Sequence, residues 1–189
     1  MQGELSAIQK ILQQNSDAAA KAANQKFIPG EEKIYGVRTP VLNELAGRFK
    51  NGGFELVEAL WQAGSLEEKI LAGKMLGKIA KKDPERALQT VRLFASNIGN
   101  WAVCDTIGMQ SLKPIVKTHR QEIFALAKEY NTSPDLWQRR LSLVLVEWYT
   151  REEKLHPEIK KLVKRLENDK EYYVKKAVTW INKNFQKGK

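Results

Sequence analysis

Apolar residues recur along this chain at helical spacing. Leu66, Ile70, Met75 and Ile79 keep close to an i, i+4 step, with small slips of phase. Leu141, Leu145 and Trp148 do the same, as do Val174, Ala177, Val178 and Ile181. Such a period places each set on one face of a helix. Strand-like alternation of apolar and polar residues is missing over any useful length. Helix-breaking and helix-starting pairs fall between the runs: Thr39-Pro40, Asn51-Gly52-Gly53, Asp83-Pro84, Ser133-Pro134 and His156-Pro157. A hydroxyl or carboxylate followed by proline reads as an N-cap and then the first helical residue. Helices are therefore predicted to open at Pro40, Pro84 and Pro134.

The predicted helices resemble one another. Aligning the runs that start at Glu67, Asn100, Leu136 and Tyr172 brings Leu71, Asp105, Arg140 and Lys176 to one position, with spacings of 34, 35 and 36 residues. Two helices per unit of that length predict an all-α fold, an α-α superhelix (solenoid) of HEAT-like helical repeats forming one domain over residues 1–189. The second helix of each pair would line the concave face. An apolar residue fills the shared position in the first unit and a charged one in the next three. That predicts a concave basic groove in place of a packed core.

Composition supports a globular chain. With 189 residues, 42% of them hydrophobic, it can bury a core. No apolar stretch approaches the roughly 20 residues of a membrane span, and the start MQGELSAIQK has no apolar run of the secretory kind. One cysteine rules out internal disulfides and suits a reducing, cytoplasmic setting. Two histidines and one cysteine are too few for a structural zinc site, so no metal is expected. Charge narrows the partners further. The net charge is +10, and 12 basic residues stand against 6 acidic ones from Arg151 onward, compared with 20 and 16 in the first 150. Nucleic acid or another anionic surface fits that excess.

Against this background the segment Asn100-Trp101-Ala102-Val103-Cys104-Asp105 stands out. Trp101 and Asp105, at i and i+4, share a helix face. A carboxylate there would repel a phosphate backbone, so its placement needs a reason. Lys176 and Trp180 are also four apart, and Trp137 and Arg140 three apart. Each unit thus offers an indole beside an ionisable group. Arginine and lysine suit phosphate, and indole faces suit bases, sugars or cations. The plainer alternatives are simple packing for Trp137 and Trp148, a solvated helix face for Arg139-Arg140, and an ordinary surface acid for Asp105. Cys104 has no histidine neighbour and reads as a small buried apolar residue rather than a nucleophile. Gly52-Gly53 is a turn, and no Gly-rich phosphate loop is present.

Four segments taken in order resemble the DNA alkylation repair family of AlkD type, alkylpurine DNA glycosylases built from HEAT-like repeats. Tyr35-Gly36-Val37-Arg38-Thr39-Pro40 looks like the family's Gly-x-x-Thr-Pro element, and Trp101 to Asp105 its Trp-x-x-x-Asp. Trp137 to Arg140 resembles Trp-x-x-Arg, and Lys176 to Trp180 resembles Lys-Ala-x-x-Trp. The resemblance implies that Asp105 is the catalytic carboxylate, that Trp101 and Trp180 cradle the deoxyribose of the damaged nucleotide, and that Arg140 holds a DNA phosphate. Arg139, Lys175 and Lys176 are the neighbouring DNA-binding candidates. It implies a monomer acting on double-stranded DNA that contains bases made cationic by N3 or N7 alkylation, without base flipping and without a cofactor. The chemistry agrees: cleaving the glycosidic bond moves positive charge onto the sugar, which a carboxylate stabilises. A non-catalytic helical-repeat module that binds nucleic acid or an acidic protein is the competing expectation.

Overall fold

The computed structural model describes residues 2–30 and 33–187. Among them every regular element is helical. In chain order these are α1 (Gln2–Gln14), α2 (Ala18–Phe27), α3 (Thr39–Arg48), α4 (Gly53–Ala63), α5 (Leu66–Ile79), α6 (Pro84–Ala95), α7 (Trp101–Thr106), α8 (Arg120–Tyr130), α9 (Leu136–Val144), α10 (His156–Leu166) and α11 (Tyr172–Lys187). The odd-numbered helices from α3 to α11 pack one against the next and form an inner row. Outside it α4 backs α5, α8 backs α9, and α10 backs both α9 and α11. The result is an all-α, solenoid-like fold. Among the described residues no helix is long and apolar enough to cross a membrane.

A continuous core runs between the two rows. It is built from aliphatic residues such as Leu60, Leu71, Met75, Val103, Ile107, Leu141 and Ile181, all essentially excluded from solvent. Burying one such side chain contributes about 1.5–3 kcal/mol, so this layer supplies most of the drive to fold. Aromatic pairs extend it into the outer row. Trp61 of α4 stacks on Phe94 of α6 with centroids 4.0 Å apart, and Phe124 of α8 lies 5.0 Å from Tyr149.

The repeat register finds the right helices. Leu71, Asp105, Arg140 and Lys176 fall on α5, α7, α9 and α11, four consecutive members of the inner row. The side chains do not form one exposed ladder, however. Leu71 is wholly buried in the core, Asp105 is half-buried, Arg140 is buried and Lys176 is exposed. Equivalent positions rotate between core and surface because each helix turns to fit its own two neighbours.

Helix starts agree with the predicted punctuation in part. Asp83 caps α6, its carboxylate accepting from the Arg86 N–H at 2.9 Å, with Pro84 first in the helix. At α3 the helix opens on Thr39 itself, one residue ahead of Pro40, and no side chain caps it. Helix α9 opens at Leu136 rather than Pro134. There Asp135 takes the cap, accepting from Gln138 N–H at 2.8 Å, while the Ser133 hydroxyl accepts from Asp135 N–H in a turn just before it. A carboxylate nearer the apolar run wins the capping role. Helix α9 also ends early, at Val144, so Trp148 lies in a following 3-10 turn instead of on the same helix.

One irregularity shapes the site. Helix α7 runs on into a π-helical turn over Ile107–Ser111, a form common beside functional positions. The turn presses its Gln110 carbonyl against α5 at Gly77, where an added Cβ would lie 2.4 Å from that oxygen. We predict that Gly77→Ala lowers stability by about 2 kcal/mol: a clash with immovable backbone costs about 3, and the better helix propensity of alanine returns about 1. Urea unfolding checks this, through a lower midpoint at unchanged slope.

Candidate active site

Asn100 begins the site. It is fully buried, and its side-chain oxygen accepts from Val103 N–H at 3.0 Å, which starts α7 at Trp101. One turn later the helix presents Asp105 on the same face as Trp101. Both line a cleft of about 740 Å³. Its opposite wall is the alanine-rich side of α2, with Ala19, Ala20 and Ala23, and the start of α3 at Thr39-Pro40. Small side chains there leave the width open. The floor is α5, which contributes Glu67, Ile70 and Lys74 at i, i+3 and i+7.

Trp101 is held by its edge. Its indole Nε1–H donates to the Phe27 carbonyl at 2.9 Å, at the end of α2. This bond spends the ring's one polar atom on the scaffold, and the half-buried ring flanks the cleft.

Asp105 is held by both oxygens. Arg140 Nε donates to Oδ1 at 2.9 Å and Nη2 to Oδ2 at 2.8 Å, the side-by-side fork that a guanidinium and a carboxylate form best. Arg140 Nη1 also donates to the Tyr173 carbonyl at 2.6 Å, in the first turn of α11. Only 9% of the Arg140 side chain is exposed, against 26% for Asp105, so the acid faces the cleft and the arginine lies behind it. The two residues that the repeat register places on separate rungs are thus a single ion pair across α7 and α9.

The other basic candidates lie elsewhere. Arg139 points to the opposite side of α9, donating to Asp169 at 2.6 Å and to the Ser133 and Pro134 carbonyls. Burial pushes the Asp169 carboxyl up, but the Arg139 guanidinium and the Glu171 backbone N–H outweigh it and hold the carboxyl below the usual range. Lys175, Lys176 and Trp180 line a separate hollow of about 540 Å³ on the surface of α11, which shares no residue with the Asp105 cleft. Lys176 Nζ lies 4.9 Å from the Tyr172 ring centre, a cation–π distance, and Trp180 is half-buried against the core. Trp137 packs against Tyr173 at 5.1 Å, as simple packing predicts. Trp148 is flanked by the cations of Lys113 and Arg151, each 4.7 Å from its ring, and its indole donates to the Met109 carbonyl. Cys104 is fully buried, and that burial pushes its thiol well above the ordinary range, a setting opposite to that of a nucleophile.

Two cleft residues have no counterpart in the sequence reading. Glu67 is buried, and its carboxylate accepts from the backbone N–H groups of Tyr35, Gly36 and Val37 at 2.9, 2.8 and 3.1 Å. Gly36, at φ +86°, lets this strap of residues 35–37 approach the start of α2, where a side chain would lie 2.6 Å from the Asp17 carbonyl. Lys74 is also buried, with Nζ donating to Asn43 Oδ1 at 2.8 Å and Gln110 Oε1 at 3.1 Å. Burial, and after it the charge of Lys78, holds its ammonium below the usual lysine range. In sequence both look like ordinary charges on a solvated helix.

The chain matches the profile of DNA alkylation repair enzymes over residues 8–187. It belongs to that family. No individually curated protein matches the chain. Membership gives this DNA repair protein its substrate class, and the cleft lies wholly within the matched span.

The ion pair at the centre of this repair protein is also a structural joint. We predict that Arg140→Ala costs about 2–3 kcal/mol, below the usual loss for a fully buried pair because Asp105 remains partly solvated. Arg140→Lys should lose less, retaining a charge but not the fork. Chemical denaturation of the three proteins side by side measures both.

Proposed function

We propose that this protein is an AlkD-type DNA glycosylase. It hydrolyses the N-glycosidic bond of purines made cationic by N3 or N7 alkylation in duplex DNA, and acts as a monomer. The observation that supports this best is a carboxylate and an indole on one turn of α7, both lining an open cleft in a chain of charge +10.

An alkylated purine is already positively charged and departs readily. As the bond to C1′ lengthens, positive charge grows on the sugar. Asp105, fixed at both oxygens and open on its cleft side, places negative charge against that developing cation. Because Arg140 holds the carboxylate in advance, little reorganisation is needed in the transition state. The same acid can orient the attacking water. Trp101 offers an aromatic face to the cation and limits the water that reaches it. For Trp180 to serve the same sugar, the DNA must lie across both the Asp105 cleft and the separate hollow on α11. Arg140 acts mainly by setting Asp105, and to hold a phosphate as well its Nη1 must give up the Tyr173 carbonyl. Lys175 and Lys176 supply exposed cations for the backbone, and Arg139 braces α9 from behind.

A second reading is a helical-repeat module that binds nucleic acid without cleaving it. It draws on the separation of the Lys175–Trp180 hollow from the Asp105 cleft. Release of N7-methylguanine from methylated duplex DNA distinguishes the two. We expect release by the wild type, and a loss of at least about a hundredfold in Asp105→Asn. Duplex affinity should stay close to wild type. Equal release by the mutant would remove Asp105 from the chemistry, and no release by either protein would favour the binding module.

A further inference from the structure

Lys74 is a cation in the wall of the cleft with no acidic partner among the described residues. Its two hydrogen bonds go to neutral amide oxygens, Asn43 Oδ1 on α3 and Gln110 Oε1 on the π-helical turn. The cleft's two carboxylates are engaged elsewhere. Asp105 faces the Arg140 fork, and Glu67 accepts three backbone N–H groups. A lysine kept for stability alone is more commonly solvated or paired with an acid. Here the lysine as a residue is 8% exposed, its amine is bonded to two surface amides, and it lines the same cavity as Asp105. Desolvation and a nearby like charge are the two conditions that turn a lysine into a nucleophile. Both are present, and they lower the proton affinity of its ammonium.

We propose that Lys74 is a nucleophilic amine that attacks an abasic deoxyribose in the cleft, giving this protein a DNA-strand lyase activity alongside base release. The inference rests on the proposed reading, in which removal of a base leaves such a sugar beside Asp105. The ring-opened sugar carries an aldehyde at C1′. Lys74 Nζ loses one proton to water and its lone pair forms the N–C1′ bond. The carbonyl electron pair moves to oxygen, which is protonated, and the resulting carbinolamine takes a second proton from water, expels its hydroxyl as water and becomes a protonated imine. That imine acidifies C2′, whose proton passes to water. The C3′–O bond then breaks, and its electron pair leaves with the 3′ phosphate. Water hydrolyses the remaining imine and restores the amine. The sequence consumes no oxidant, reductant or metal. The amides of Asn43 and Gln110 aim Nζ while leaving it without a counter-charge.

A duplex carrying one preformed abasic site, made by an unrelated uracil-excising enzyme, tests this directly. Borohydride added during incubation reduces an imine to a stable amine link between protein and DNA. We expect a covalent adduct with the wild type, mapped by mass spectrometry to the peptide that contains Lys74. Lys74→Arg keeps the positive charge but cannot form the imine, and should lower the adduct yield by about tenfold or more. Lys82→Arg, an exposed lysine just past the same helix, should leave it unchanged. An adduct mapped to another lysine, no adduct in the wild type, or full yield in Lys74→Arg each overturns the proposal. The wild-type mapping needs no variant, so a folding defect in Lys74→Arg leaves the answer intact. Adduct at Lys74 without release of alkylated bases would sink the glycosylase reading and spare this one; base release without the adduct would do the reverse.

Discussion

The fork between Arg140 and Asp105 is the interaction on which the site depends. One guanidinium reaches three successive inner helices: its own α9, α7 through the carboxylate, and α11 through the Tyr173 carbonyl. Helices in this fold have no sheet to hold their registry. Apolar packing sets their spacing but tolerates small slides and rotations. A planar fork with two short bonds does not, because sliding either helix breaks both. Burying such a pair is costly in desolvation, and a hydrophobic substitute of the same shape would often be as stable. Its retention at the mouth of the cleft is understandable if the geometry of the acid matters more than the stability of the joint.

Around this pair, the chain arranges its charges by occupation rather than by number. A surplus of basic residues would normally draw a nearby carboxylate into a surface ion pair worth little. Here each acid in the cleft has a dedicated partner, and Asp105 alone of the two keeps a side open. Asp105 has the arginine behind it. Glu67 has the backbone of the Tyr35–Val37 strap, which it ties to α5. Lys74 meets only amides. The cleft therefore presents a fixed anion on α7 and an uncompensated amine on α5. Neither would behave this way on a solvated helix, where water would screen both.

Much of the fold was legible in the chain. The helical period, the absence of alternation and the recurrence at 34 to 36 residues all reflect local rules, and the structure has the inner row they imply. The pairing of Trp101 with Asp105 was legible for the same reason, since i and i+4 share a face in any helix. The facing of each register position was not. Leu71 turned into the core and Lys176 to solvent, because rotation about a helix axis is settled by the neighbours on either side. The start of α6 was read where it falls, that of α3 one residue late, and that of α9 two residues early because Asp135 took the cap from Ser133.

Sequence by itself determined the class of fold, the basic character of the surface and the turn of helix that carries Trp101 and Asp105. These follow from composition and from contacts within a few residues. Tertiary structure alone decided that Arg140 stands behind Asp105, that Arg139 turns away to Asp169, and that Trp180 belongs to a different hollow. It alone gave Lys74 its isolation. A side chain's charge is written in the sequence, but whether that charge is solvated, paired or left bare depends on which distant helix packs over it.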